Sequence, residues 1–394
     1  MLYTTTAILK RFQGIQFTNM KMNSFDRSDL TLITSVTGLL ASLLLTSTAW
    51  GTERLYPLAP IISSFTLPHT IQTILFYVVF IGLPLSLLYK PGRKQILSIV
   101  LSSLAILVLL DNTRLQPWVF HYGAILLMFS AFVPGKWITQ EKVLDAARIV
   151  VGGIYFWSGI QKMNFRFMNE IFPWFTKPLW ESGASSDIVL YFVATLGILV
   201  PFIEAFFALG FFVKKVRIYA VLSASSMLVL VLASIGPTGH NWNSSVWPWN
   251  LAIFSFVLVL FWRTDFTLPE FIRRQQQNVL GLIMFALFWV MPIGSYSGLV
   301  DHYLAWSLYS GTVPEAALYG DQDFLETLSR EARDGKLQVH EFSVDNINMV
   351  PYPEVRVFTA IFDQLCQQYP EQKLRMEIQT DFTPTAEPIA LTCN

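Results

Sequence analysis

Nine long, charge-poor apolar segments limit what this chain can become. They lie near residues 30–50, 70–89, 95–110, 116–134, 145–163, 188–213, 216–236, 245–262 and 278–295. Each approaches the roughly 20 residues that a helix needs to cross the hydrocarbon of a bilayer. Lipid offers a backbone no hydrogen bonds, so such segments must be helical. The chain is 14% charged, against about a quarter in soluble domains. The expected fold is therefore an all-α polytopic membrane bundle of about nine transmembrane helices over residues 29–295. Pro84, Pro117, Pro201 and Pro248 fall in or at the start of these runs, where packed neighbouring helices tolerate them. The segment at 95–110 is the shortest.

Lys and Arg counts orient the bundle, because cytosolic loops retain the positive charge. The tail before the first segment has four, and the connections near 90–94, 135–148, 214–217 and 263–274 have three each. The alternate connections contain Arg54 alone, Arg114 alone, then Lys162, Arg166 and Lys177, then none. This predicts a cytosolic N-terminus and an outside C-terminus, as an odd number of spans also requires. Residues 1–28 then read as a basic cytosolic tail, with a start at Met20 or Met22 as one possibility. The acid-free stretch 1–19 leaves a mitochondrial-type leader as the other reading. No short apolar core with a small-residue cleavage site is present, which points to a bacterial inner membrane. Lys+Arg equals Asp+Glu, so no nucleic-acid partner is expected.

From residue 296 to 394 the composition becomes that of a small soluble domain, predicted to be α+β and to lie outside. Asp321–Arg333 and Glu354–Gln368 read as amphipathic helices, the second with Val355, Phe358, Phe362 and Leu365 on one face. Lys373–Gln379 alternates as a half-buried strand does, and Leu337–Phe342 is a weaker strand candidate. The chain's two cysteines, Cys366 and Cys393, both fall here. They either pair in an oxidising compartment or remain a buried helix residue and a free tail thiol.

Three polar clusters fall on the predicted outer face. Asp111 to Trp118, followed by His121 and Tyr122, opens the fourth segment. Lys162 and Asn164 close the fifth. His240 to Asn250 opens the eighth. Tyr155, Ser158, Gly159 and Lys162 share one helix face by their spacing. Lys162 is either a snorkelling anchor or, if that face is buried, a candidate base. Asp111 and Arg114, one turn apart, read first as a local pair. Glu204 lies mid-bilayer within an otherwise charge-free run, where an ionisable group costs about 2.5–3.5 kcal/mol. It is a proton relay, a ligand contact or a helix–helix hydrogen bond. The connection 164–187 has too many rings, including Phe167, Phe172, Trp174, Phe175 and Trp180, for a solvated loop. It is expected to fold over the bundle's outer mouth and to admit a lipid-soluble ligand sideways. The histidines show no ligand spacing, and no metal, nucleotide or triad motif occurs.

These residues carry a resemblance. Tyr155-Phe156-x-x-Gly159-x-x-Lys162-Met163-Asn164 is similar to a segment of the vitamin K-dependent γ-carboxylase-like membrane family. That family shares the horizontally transferred transmembrane (HTTM) domain, and the DoxX-like proteins are more distantly similar. Leu110-Asp111-Asn112-Thr113 with Tyr122-Gly123, His240-x-x-Asn243-Ser244 and Trp306–Gly311 resemble further family stretches. Together they cover most of residues 100–311. The resemblance implies that Lys162 deprotonates a reduced quinone, with Tyr155, Asn164, Asp111, Arg114, Tyr122, His240, Asn243 and Glu204 as ligand-binding or supporting groups. The chain departs from the family pattern at Trp118, where carboxylases have histidine, and at Asn164 and Phe167. Its C-terminal part is also small. Two other classes stay open: a non-catalytic assembly protein presenting its outer domain to a protein partner, and a transporter, for which no inverted repeat is visible.

Overall fold

The computed structural model describes residues 24–393 apart from 52, 63, 132–138, 181–186 and 384. Most of the expected N-terminal tail, and parts of the connections around 135 and 183, lie outside the described residues.

Helices appear where the apolar segments were expected. They are α1 (Ser24–Leu45), the short α2 (Ser47–Trp50), α3 (His69–Leu88), α4 (Arg93–Leu110), α5 (Pro117–Ala131) and α6 (Gln140–Gln161). After α7 (Phe172–Trp180) come α8 (Asp187–Gly210), α9 (Arg217–Ile235), α10 (Val246–Phe261), α11 (Leu268–Gln275) and α12 (Val279–Phe285). The last continues through π and 3₁₀ turns to Ser297. Among the described residues six helices are long and apolar enough to cross a membrane, and Pro117–Ala131, Thr195–Gly210 and Val246–Phe261 are shorter apolar helices. The fourth and eighth expected spans are therefore the short ones, while the helix of the sixth runs 24 residues from Asp187 to Gly210. The segment expected to be shortest forms part of a 21-residue helix, Lys90–Leu110.

Helix α6 is the hub. It packs against α1, α8, α10 and α12, and nearly every residue from Val143 to Tyr155 is buried. At its start, arginines from four segments hold helix ends together. Arg148 donates to Leu260 O (2.9 Å), Arg217 to Phe211 O (2.7 Å) and Arg27 to Trp262 O (2.9 Å). These carbonyls belong to the C-terminal turns of α8 and α10, where cations are favoured by the helix dipole. Asp145 balances the cluster through Arg148 (2.5 Å) and Arg274 (2.9 Å). Lys162 stands at the opposite end of α6.

The C-terminal region forms an antiparallel sheet ordered β2-β1-β3-β4. Its strands are β1 (Glu315–Tyr319), β2 (Lys336–Gln338), β3 (Arg375–Gln379) and β4 (Ile389–Thr392). Leu318 pairs with Met376, and Met376 with Leu391. Helices α14 (Val339–Ile347) and α15 (Val355–Gln368) pack on it, while α13 (Gln322–Leu328) connects β1 to β2.

Two sequence expectations need correction here. The predicted helix 321–333 stops at Leu328, where Ser329 turns extended (φ −158°), and Asp334 and Gly335 then take positive φ (52° and 71°). Arg333 bridges to Lys336 across them, the two-residue Asp-Gly hairpin geometry. The predicted strand 337–342 yields to helix after Gln338, since Val339, Phe342, Ser343 and Ile347 bury one helical face. Asn348 then ends α14 in the left-handed conformation (φ 53°).

Cys366 on α15 and Cys393 beyond β4 form a disulfide. Asp301 clamps this region to the chain that leaves α12. Arg356 donates to both its carboxylate oxygens (2.9 and 2.6 Å), and Tyr352 Oη donates to one (2.8 Å).

Candidate functional site

A cavity of about 480 Å³ opens beside the C-terminal end of α6. Its floor and walls come from α6 (Tyr155, Ser158, Lys162), α8 (Val200, Glu204), α9 (Leu228, Ser234) and α10 (Trp249, Asn250). Helix α7 covers it with Phe172, Phe175 and Trp180, and the turn containing Trp306, Leu308 and Tyr309 closes the end nearest the sheet. The lining is overwhelmingly apolar.

Its charged groups are one ion pair. Lys162 Nζ donates to Glu204 Oε2 at 2.7 Å and to Ser158 Oγ at 2.8 Å. The Lys162 side chain is 15% exposed and that of Glu204 4%. Gly159 makes the pair possible. A β-carbon there would lie 2.6 Å from Pro201 O and 2.7 Å from the Ala205 amide nitrogen. Without one, α8 lies directly against α6, and Glu204 meets Lys162 one helical turn further on. Lys162, expected at the outer end of its span, and Glu204, expected midway along its own, therefore meet at one level of the bundle. Helix α6 ends early because the following segment turns back against α8 and α9, while α8 runs on past it.

An ammonium has three donors. Two of those of Lys162 have acceptors among the described residues, Ser158 and Glu204. The third is available to a ligand oxygen. Three other polar atoms on cavity-lining residues, Tyr155 Oη, Ser234 Oγ and Trp306 Nε1, are buried without a hydrogen bond. Buried polar groups are nearly always satisfied; these three are among fourteen such atoms in the described residues, and a ligand or water in the cavity would supply their partners.

The remaining sequence candidates divide in two. His240, Asn243 and Asn164 hold the cavity's cover and end wall rather than lining it. The His240 ring stacks on Trp174 at 4.6 Å, and its Nε2 lies 2.7 Å from Trp174 O. Asn243, with φ at 47°, donates to Tyr309 Oη (3.0 Å) and accepts from Ser245 Oγ (2.6 Å). Asn164 accepts from the Phe167 amide (2.8 Å) and donates to Gln161 O and Ser310 O (2.9 and 2.8 Å). It thus stitches the turn after α6 to the turn 306–311. That turn bends through three left-handed residues, Trp306, Tyr309 and Gly311 (φ 66°, 55° and 79°). A bulky residue rarely takes this conformation without compensation from its surroundings.

Asp111, Arg114 and Tyr122 do not line the cavity. Asp111 pairs with Arg54 at 2.6 Å, a partner that spacing does not reveal, and with Arg114 at 3.6 Å. Arg114 donates to the carbonyls of Ala49, Trp50, Gly51 and Leu107. The trio ties the connection after α2 to the entry of α5, a structural role. Tyr122 is fully buried and stacks on His121 at 5.6 Å. His121 Nδ1 accepts from Trp249 Nε1 at 2.9 Å, so it supports the cavity wall at one remove. Sequence reasoning missed Ser234 as a lining residue. A lone serine in an apolar helix gives no signal of its own.

The fold and site define a predominantly helical protein with, among the described residues, six helices of membrane-crossing length and a small antiparallel sheet. No protein family, curated protein or solved structure matches the chain.

Proposed function

We propose that this is a nine-span integral membrane protein whose α6–α10 cavity binds a lipid-soluble, quinone-like ligand at the Lys162–Glu204 pair. One observation carries the reading: an ion pair with a spare N–H, lining an apolar cavity of about 480 Å³. That volume lies within the usual range for small-molecule sites, and so does a lining with few polar groups. A quinone ring fills the aromatic enclosure, and its oxygens receive the Lys162 ammonium and the unsatisfied Tyr155 and Trp306 donors. A purely structural pair would not need the open volume beside it. The resemblance of Tyr155–Asn164 to the γ-carboxylase-like segment supports the same ligand class. The distribution of basic residues among the loops supports a cytosolic N-terminus and a sheet region outside a bacterial inner membrane.

The test is solvent extraction of the purified protein, with chromatography for a redox-active quinone. The expected result is near-stoichiometric quinone from the wild type and strongly reduced quinone from folded Lys162→Met. Equal recovery from both places the quinone elsewhere.

The second reading, an assembly protein, draws on β4. It lies at the sheet edge with Ile389 exposed, and an unpaired edge is a docking site for another strand. Pull-down with the wild type but not with an Ile389→Pro variant would favour it.

A further inference from the structure

We infer that Glu204, rather than Lys162, is the group that accepts a proton from the cavity's ligand, with Lys162 remaining an ammonium that stabilises the anion. The inference rests on the quinone reading and assigns the chemistry within it.

We treat Lys162 Nζ and Glu204 Oε2, 2.7 Å apart, as a pair that shares one proton at rest. If that proton lies on Lys162, the amine has no lone pair and only the carboxylate can accept another. If it lies on Glu204, the amine's lone pair is engaged by the carboxyl hydrogen. In either case, taking up a second proton gives one product, an ammonium beside a carboxylic acid. Relative to the ion pair, the proton gained is the one on Glu204.

Charge balance favours that product. An uncompensated charge among apolar walls is expensive, and both the resting pair and the final state avoid one. The ligand's O–H bond breaks and an O–H bond forms on Glu204. The freed Lys162 N–H then turns to the new ligand oxyanion, which its positive charge balances. No electrons are transferred in this step. Ser158 keeps the ammonium in place through its 2.8 Å hydrogen bond while Glu204 is neutral. Tyr155, a buried cavity residue whose hydroxyl has no hydrogen bond, adds a donor to the ligand side.

Arginine distinguishes the two assignments, because a guanidinium keeps the charge and cannot act as a base. The probe is a hydrophobic nitrophenol, un-ionised in bulk buffer at the working pH, whose phenolate has its own visible band. Binding is followed separately by quenching of tryptophan fluorescence. Wild type and Lys162→Arg should both bind the phenol and ionise it. Glu204→Gln should bind it with ionisation lowered by about tenfold or more, the effect of one unit in proton affinity. In the unaltered protein, an infrared difference spectrum should gain a carboxylic acid C=O band when the phenol binds. Ionisation lost in Lys162→Arg but kept in Glu204→Gln, or no new carboxylic acid band in the wild type, would overturn the assignment and leave the ligand site standing. Absence of saturable phenol binding in the wild type would overturn the site itself and the assignment with it.

Discussion

Gly159 and Ala205 touch where α6 crosses α8, so closely that a β-carbon on Gly159 would lie 2.7 Å from the Ala205 amide nitrogen. This contact sets the distance between Lys162 and Glu204. Gly159→Val should separate the helices, lower quinone-analogue binding at least tenfold, and destabilise the fold by about 1–3 kcal/mol, as overpacking does. Gly123→Ala on α5 is the control, since a β-carbon there meets nothing within 4 Å. Thermal unfolding in detergent and a binding titration on each variant check both expectations.

Trp174 anchors the cover by stacking on His240. His240→Ala removes the stack and the contact to Trp174 O. Loss of about 0.5–1.5 kcal/mol, typical of an aromatic pair, should weaken ligand binding by roughly twofold to tenfold. The loss should fall mainly on the dissociation rate, because α7 then opens more readily. Stopped-flow displacement measures this directly. An unchanged off-rate would separate α7 from ligand retention.

The Cys366–Cys393 bond spans 27 residues of sequence separation. Removing the cross-link frees that loop in the unfolded chain and should cost about 3–4 kcal/mol by the loop-entropy relation. Cys366→Ser and mild reduction of the wild type should lower the melting transition of the sheet region alike. The ligand-binding helices should be unaffected, since the bond joins α15 to the end of β4 and lies far in the chain from Lys162.

His340 gives the sheet region a pH dependence. Burial pushes its imidazole below the ordinary value of 6.5, against the opposing pull of Glu341 and Glu315, and its ring packs edge-on to Trp242 at 5.7 Å. The unfolded chain therefore binds a proton that the folded chain refuses. This contribution to stability is complete above about pH 6.5 and is lost as pH falls from there toward the lowered folded value. Melting curves between about pH 7.5 and pH 5.5, spanning the imidazole range, should show the decline, and His340→Gln should reduce it.

Much of this was legible in the sequence, and the failures have physical causes. Apolar runs foretold the helices because lipid-compatible helices require them. The alternation at Arg375–Gln379 foretold β3, whose Met376 and Ile378 are buried. The neighbouring β1 escaped notice because Ala316, Ala317 and Leu318 are all buried, which erases the two-residue period. The Asp334-Gly335 turn follows directly on the expected helix 321–333, whose pattern extends past the real end of the helix at Leu328. Lys162 and Glu204 were each identifiable as unusual. Their pairing across 42 positions depends on how closely two helices approach at Gly159, which no local pattern encodes. The local Asp111–Arg114 pair expected from spacing is present at 3.6 Å, but the closer partner Arg54, 57 positions away, could not be read from any local pattern.

The central claim is that the Lys162–Glu204 cavity is a binding site for a quinone-like ligand. Trp180, Trp249 and Trp306 line it, so titration with a short-chain quinone followed by tryptophan quenching reports occupancy directly. Saturable one-to-one quenching in the wild type, weakened at least tenfold in a folded Lys162→Met variant, is the expected result. Non-saturating quenching, or identical curves for the two proteins, would contradict it.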